Sequence, residues 1–113
     1  MNKKAKLRKL CDKLCYEKYL QKTCEICGKK ANQLHHFYPK GAYGHLRYTP
    51  ENLISLCFPC HFILTHQNRR LEDKIREKKG EKWFKNLTKK AYQRPKSSYL
   101  TIEYYENILK KLK

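Results

Sequence analysis

The chain has 113 residues, of which 27 are Lys or Arg and 10 are Asp or Glu, giving a formal net charge of +17. This length predicts one small domain over residues 1–113, with a modest core that a bound metal would help to stabilise. The charge predicts a polyanionic partner. There is no run of about 18 apolar residues and no apolar signal-peptide core, so neither membrane insertion nor export is expected.

The positive charge is concentrated at the two ends of the chain. Residues 1–23 hold eight basic and two acidic residues, residues 69–113 hold fifteen and six, and residues 24–68 hold four and two. We therefore expect the flanks to grip the polyanion and the centre to carry the chemistry. Six cysteines without a signal peptide indicate metal binding rather than disulfides, in a reducing compartment such as the cytoplasm or a host cell interior.

Residues 3–20 have the pattern of an amphipathic helix. Apolar side chains recur at helical spacing, with Lys and Arg on the other faces; they are Leu7, Leu10, Cys11, Leu14 and Cys15. The two cysteines are either additional metal ligands or core residues. We predict core packing, because buried free cysteines behave as small hydrophobes.

Two C-x2-C pairs, Cys24/Cys27 and Cys57/Cys60, form the strongest signal in the chain. Four thiolates complete the tetrahedral shell of a structural zinc ion. Gly28 can supply the tight backbone turn after the second thiolate. The 29 residues between Cys27 and Cys57 leave room for an inserted hairpin.

The inserted segment has short strand-like runs, LHHFY, LRY and LISLC, which Gly41, Gly44 and two prolines interrupt. This pattern predicts a hairpin with a long loop. His35 and His36 are adjacent, so on a strand they point to opposite faces. One imidazole would then bind a metal while the other activates water. His61 follows the last cysteine directly and begins a helix.

The remainder of the chain is predicted to be helical. One helix runs from Pro59 to Lys79, where Gly80 ends it, and another from Glu81 to about Tyr92. Residues 94–98 form a linker, and Thr101 is a plausible N-cap for a last helix. The apolar stripe of that helix comprises Ile102, Tyr105, Ile108, Leu109 and Leu112.

The order Cys-x2-Cys, His-His, Asn, Cys-x2-Cys-His resembles the HNH endonucleases, whose ββα-metal hairpin and helix hold one catalytic divalent ion. More narrowly, the stretch His36–Asn52, HFYPKGAYGHLRYTPEN, resembles the NinG/Rap recombination endonucleases of bacteriophages. The resemblance implies an α+β fold, with a small zinc-stapled ββα-metal core at 24–68 between basic amphipathic helices at 1–23 and 69–113.

The resemblance also assigns roles by position. His36 matches the general base that deprotonates the attacking water, and Asn52 matches the asparagine that braces the hairpin and orients this histidine. His61 matches the metal ligand after the last cysteine. His35 falls where many HNH enzymes have a metal ligand, and His66 is a further candidate beyond His61.

Several basic residues are candidates for DNA binding. Lys40, His45 and Arg47 in the hairpin loop can position flanking phosphates, although an ordinary solvated loop is the alternative. Arg69 and Arg70 belong to the charged C-terminal flank. The catalytic divalent ion can be Mg²⁺, Mn²⁺, Zn²⁺ or Ni²⁺. Imidazole ligands suit Zn, Ni or Mn better than Mg, which prefers oxygen ligands, so the sequence leaves the choice among these four open.

The sequence therefore predicts a metal-dependent DNA endonuclease. The resemblance implies branched recombination intermediates, such as D-loops or Holliday junctions, as the substrate, and a phage-related origin; a homodimer is possible. The alternatives are a non-catalytic zinc-stabilised module that binds nucleic acid, or a generic or homing-type HNH nuclease. An RNA-binding module is a weaker option, because no RNP-type or KH-type pattern is present.

Overall fold

The computed structural model describes residues 1–65 and 70–113, and within them five α-helices and a two-stranded antiparallel sheet. The strands are β1 (Gln33–His36) and β2 (Leu53–Leu56). The helices are α1 (Lys3–Tyr19), α2 (Phe58–Thr65), α3 (Arg70–Lys79), α4 (Glu81–Tyr92) and α5 (Ile102–Leu112). The predicted α+β class, with a β1-β2-α2 core between helices, is confirmed.

The β1-β2 hairpin has the long loop that its glycines and prolines predict. Gln33 pairs with Leu56 and His36 with Leu53, so residues 37–52 connect the strands. The prediction of a strand at LRY was wrong. Leu46 ends a 3-10 turn (Gly44–Leu46), and the amides of Arg47 and Thr49 donate to carbonyls within the loop. These backbone groups are therefore not available to a neighbouring strand.

The sheet lies between two hydrophobic cores. All four residues of β2 are buried, and their side chains alternate between the two sides. Leu53 packs into a cluster with α1 and α5, to which Cys11, Cys15, Tyr105, Leu109 and Leu112 belong. Ile54 and Leu56 enter a second cluster with α3 and α4, which includes Leu71, Ile75, Leu87 and Ala91. The core prediction for Cys11 and Cys15 is confirmed.

The helix ends follow local signals in the sequence. The Asn2 side chain accepts from the amide of Ala5 at the start of α1, and Thr101 caps α5 by accepting from Tyr104 N at 3.0 Å. Gly80, with φ +94°, separates α3 from α4 as predicted. The predicted Pro59–Lys79 helix is observed as α2 and α3 on either side of residues 66–69, which lie outside the described residues. Within the described ranges, no helix combines the length and apolar content needed to cross a bilayer.

Candidate active site and cysteine cluster

Four cysteines from two turns meet beside the sheet. The Sγ atoms of Cys24, Cys27, Cys57 and Cys60 all lie within 4.8 Å of one another, and those of Cys27 and Cys57 are 3.6 Å apart. Tetrahedral zinc with Zn–S bonds of about 2.3 Å separates its sulfur atoms by about 3.8 Å. Gly28 makes the first turn possible, since its φ of +78° lies in the left-handed region. The cluster therefore has the geometry to hold one metal ion.

The electrostatics of this cluster also suit a cation. Burial opposes ionisation of Cys24, but hydrogen bonds from the backbone of Cys27, Cys57 and Ile26 outweigh it and lower the pKa of Cys24 to about 6. Burial and the neighbouring thiols raise the pKa of Cys60. One thiolate thus forms readily, while further ionisation needs a compensating positive charge. A divalent ion supplies that charge and favours the thiolate form of its ligands.

His35 and His61 form a second pair of potential ligands. His35 on β1 is paired with Ile54 of β2, and its ring centroid lies 5.2 Å from that of His61 on α2. The buried Nε2 atom of His35 has no hydrogen-bond partner among the described residues. Burial, followed by the charges of His61 and His36, lowers the pKa of His35 to about 4. A neutral imidazole with an unpartnered nitrogen beside a second imidazole fits a divalent metal ion.

His36 is oriented by the hairpin loop. Its Nε2 lies 3.0 Å from the carbonyl oxygen of Arg47. Because a carbonyl only accepts, Nε2 carries the hydrogen, and Nδ1 of the neutral ring keeps a lone pair. Burial is the main reason that the pKa of His36 is lowered, and Lys40 and Arg47 lower it further, against the opposing hydrogen bond and Asp12. His36 is thus neutral at pH 7 and able to accept a proton.

Asn52 joins the two ends of the hairpin loop. It is fully buried and lies directly before β2. Its Oδ1 accepts from the amide of Tyr38 at 2.8 Å, and its Nδ2 donates to the carbonyls of Tyr38 at 3.1 Å and Leu46 at 3.3 Å. The side chain thus fixes the loop that holds the Arg47 carbonyl against His36. Its catalytic relevance stays a prediction.

The three loop residues predicted to bind phosphate differ in their surroundings. Lys40 is exposed. His45 donates from Nε2 to the carbonyls of Ala91 at 3.0 Å and Lys90 at 3.2 Å, at the carboxyl end of α4. Arg47 forms a two-pronged ion pair with Asp12, at 2.8 and 2.7 Å. His45 and Arg47 thus have partners within the chain, and DNA binding by all three stays a prediction.

Two predicted site residues, His66 and Arg69, lie outside the described residues. Arg70 is the first residue of α3 and is exposed. The structure brings His35, His36 and Asn52 together on the hairpin and places His61 beside His35 on α2. The roles of these residues stay predictions.

Asp12, which was not predicted from the sequence as a site residue, links α1 to the hairpin loop. Its carboxylate accepts from Arg47 and from the hydroxyl of Tyr48, the latter at 2.8 Å. In the sequence Asp12 is the first acidic residue of a helix otherwise rich in lysine, but its distant partner is not visible there. An isolated carboxylate among cations at a half-buried position needs a partner, and the hairpin arginine supplies it.

The model of the HNH endonuclease family matches residues 24–67. This segment contains the cysteine cluster, the hairpin with His35, His36 and Asn52, and the described part of α2. The match supports a nuclease domain over this part of the chain, and HNH nucleases act on DNA with a divalent metal. Comparison with curated proteins and with solved structures gave no significant match.

Proposed function

We propose that this protein is a metal-dependent DNA endonuclease that hydrolyses phosphodiester bonds in branched recombination intermediates. The observation that carries the proposal is the buried, unpartnered Nε2 of His35 beside His61. The neutral imidazole of His36 follows on the other face of the same strand. The family match over residues 24–67 supports the reaction type.

In this proposal His36 is the general base. Its Nε2–H bond to the Arg47 carbonyl fixes the ring, and Nδ1 takes the proton from the attacking water. Asn52 acts through the loop, as a positioning residue that keeps the Arg47 carbonyl in place. Lys40 extends from the same loop and is free to contact a flanking phosphate.

We assign the catalytic metal to His35 and His61, with His66 as a further candidate ligand. When bound there, a divalent ion (Mg²⁺, Mn²⁺, Zn²⁺ or Ni²⁺) supplies Lewis-acid neutralisation of the scissile phosphate and the departing 3′-oxygen. The four-cysteine cluster holds a separate structural zinc ion in this proposal. Cys57 and Cys60 flank the start of α2, so this zinc would also fix the helix that presents His61.

Branch selectivity is inferred from charge and from the narrower resemblance. The net charge of +17 favours contacts with phosphate rather than with base edges. The stretch His36–Asn52 resembles phage NinG/Rap enzymes, which supports a phage-related role in recombination. Two copies acting as a homodimer could cut both strands at a branch. The six free cysteines suit a reducing compartment such as the cytoplasm.

A cleavage assay with labelled DNA and added divalent metal tests the reaction. We expect His36→Ala to bind DNA like the parent but to cleave about 10²–10⁴-fold more slowly, because only the general base is lost. Added imidazole should restore part of the rate. Asn32→Ala is a matched control, since Asn32 precedes the same strand and its exposed side chain is outside the proposed site.

The result for His36 separates the proposal from its alternative. If His36→Ala cleaves at the parent rate, His36 is not the general base and the proposed assignment of the site fails. If the parent binds DNA without cleaving it under any of the four metals, the non-catalytic zinc module is correct. For branch selectivity, labelled four-way and D-loop DNA are competed with linear duplex. Equal competition by linear DNA, or cutting at one fixed sequence, would indicate a generic or homing-type nuclease.

A further inference from the structure

A cavity of about 400 Å³ lies between α1, the hairpin loop and the segment that leads into α5. We call it the loop pocket, and the side chains that define it are Arg8, Lys40, Arg94, Tyr99 and Tyr104, together with Gly44. Its volume falls within the range of sites that bind small ligands or single groups of larger ones.

The loop pocket is strongly cationic. Its lining includes four Lys or Arg side chains and, among the described residues, no carboxylate. Arg47 is neutralised by Asp12, but the exposed side chains of Arg8 and Lys40 have no hydrogen bond or ion pair within the described ranges. Arg94 donates to the carbonyl of Ala42 at 2.7 Å, which fixes its guanidinium beside the loop. Convergent cations that outnumber the one nearby carboxylate, Asp12, favour a phosphate.

The other wall of the pocket is aromatic. The rings of Tyr99 and Tyr104 meet edge to face, with centroids 5.3 Å apart and an angle of 85° between their planes. A Cβ atom at Gly44 would lie only 2.8 Å from the Tyr99 hydroxyl, so the loop reaches Tyr99 because residue 44 has no side chain. Aromatic faces beside cations bind the base and the phosphate of a nucleotide together.

The pocket is adjacent to the proposed catalytic base. Arg47 is one of the residues that line it, and the Arg47 carbonyl accepts the hydrogen bond of His36. A DNA strand anchored in the pocket would therefore pass close to His36. This placement is useful only if the nucleotide is unpaired, because a base inside a duplex cannot reach an aromatic wall within a cavity.

We propose that the loop pocket holds one unpaired nucleotide of the DNA substrate, with its phosphate on Arg8 and Lys40 and its base against Tyr99. This inference rests on the proposed function and deepens it. It selects D-loops, forks and other branches with a single-stranded arm over a fully paired four-way junction.

The test measures the binding of full-length, zinc-loaded protein by fluorescence anisotropy, without added divalent metal, so that no DNA is cut. Three probes share one duplex: one is blunt, one has a short single-stranded tail, and one has the same tail with its bases removed. The last two carry equal charge. We expect the tailed probe to bind about tenfold more tightly than the abasic probe, because the base stacks in the pocket.

Two variants that each remove one positive charge test whether the preference for the tailed probe arises in the loop pocket. Arg8→Gln should lower the ratio of tailed to blunt affinity about tenfold, by loss of a charge-assisted contact with phosphate. Lys9→Gln, the next residue of α1 and outside the pocket lining, should lower both affinities together and leave the ratio unchanged. Tyr99→Leu should abolish the difference between the tailed and abasic probes.

Equal binding of tailed and abasic probes, or equal effects of Arg8→Gln and Lys9→Gln on the ratio, would overturn the inference. Deoxyadenosine monophosphate separates the two sources of a nucleotide. We expect the free mononucleotide to displace the tailed probe only weakly. If it binds with the same affinity as the tailed probe, the pocket is a site for free nucleotides instead. Because no step depends on cleavage, a protein that prefers tails but cuts nothing would refute only the nuclease proposal.

Discussion

Replacing Asn52 with alanine tests whether a single buried amide holds the hairpin loop. Asn52 is fully buried and makes three hydrogen bonds, two with the backbone of Tyr38 and one with the carbonyl of Leu46. The substitution removes these bonds and leaves backbone groups of the loop without partners. It also leaves a small cavity at the start of β2.

The expected loss follows from these contacts. Each buried group left without a partner costs about 1–3 kcal/mol, and the 3.3 Å bond to Leu46 contributes least. Because Tyr38 is only half-buried and water can reach part of its backbone, we expect a total near the low end, about 3 kcal/mol. With an unfolding entropy of about 2.1 cal/mol/K per residue over 113 residues, the Tm should fall by about 12 °C.

Thermal unfolding followed by circular dichroism measures the loss, with Asn32→Ala as the exposed control. Cleavage is assayed well below the Tm of the variant and should fall about 10²-fold, because the Arg47 carbonyl no longer holds His36. A Tm within about 2 °C of the parent would refute the bracing role. A large fall in Tm with unchanged cleavage would show that the loop does not position His36.

The remaining predictions concern the metal, pH and salt. Cys57→Ser should lose the structural zinc and the cooperativity of unfolding, because it removes one of four ligands. Elemental analysis and calorimetry measure these two losses, and a variant that is zinc-free but still unfolds cooperatively would contradict the prediction. Asp12→Asn should lower the free energy of unfolding by about 1 kcal/mol, a discounted value because the Asp12 side chain is 39% exposed. Burial opposes ionisation of Asp12, but hydrogen bonds from Arg47 and Tyr48 outweigh it and lower the pKa of the Asp12 carboxyl in the folded state. The contribution of Asp12 to the free energy of unfolding is therefore fully present above the unfolded pKa and is lost only as pH falls through the folded pKa. Urea unfolding at pH 6, 7 and 8 should therefore give the same loss, and a loss that varies across this range would count against the ion pair. Arg70→Glu should reduce the slope of log DNA affinity against log salt concentration by about 1 without changing the zinc content. An unchanged slope would show that Arg70 does not contact the DNA.

The sequence was most informative where residues act through local geometry. The turn after Cys27 and the caps at Gly80 and Thr101 depend on neighbouring residues, so they could be placed correctly. The alternation of side chains on a strand likewise predicted that His35 and His36 would face opposite sides.

The parts that could not be predicted depend on contacts between distant segments. The run LRY has strand-forming residues, but Arg47 bonds Asp12, which is 35 positions away, and its amide closes a turn of its own. His45 looked like a free loop cation, yet it reaches α4, some 45 residues later. Contacts of this kind between distant segments produce no periodic pattern in the sequence, so the pattern alone does not predict them.

The burial of β2 on both sides makes this strand the common support of two cores. Leu53 belongs to the core of α1 and α5, and Ile54 belongs to the core of α3 and α4. Because neither core can open without exposing this strand, its backbone amides should exchange with solvent only when the whole structure unfolds. Cys57 follows β2 directly, so loss of its metal would be transmitted along the strand to α1 and α5. The basic helices would then lose order together with the hairpin, so the proposed binding of DNA would depend on whether the cysteine cluster holds its metal.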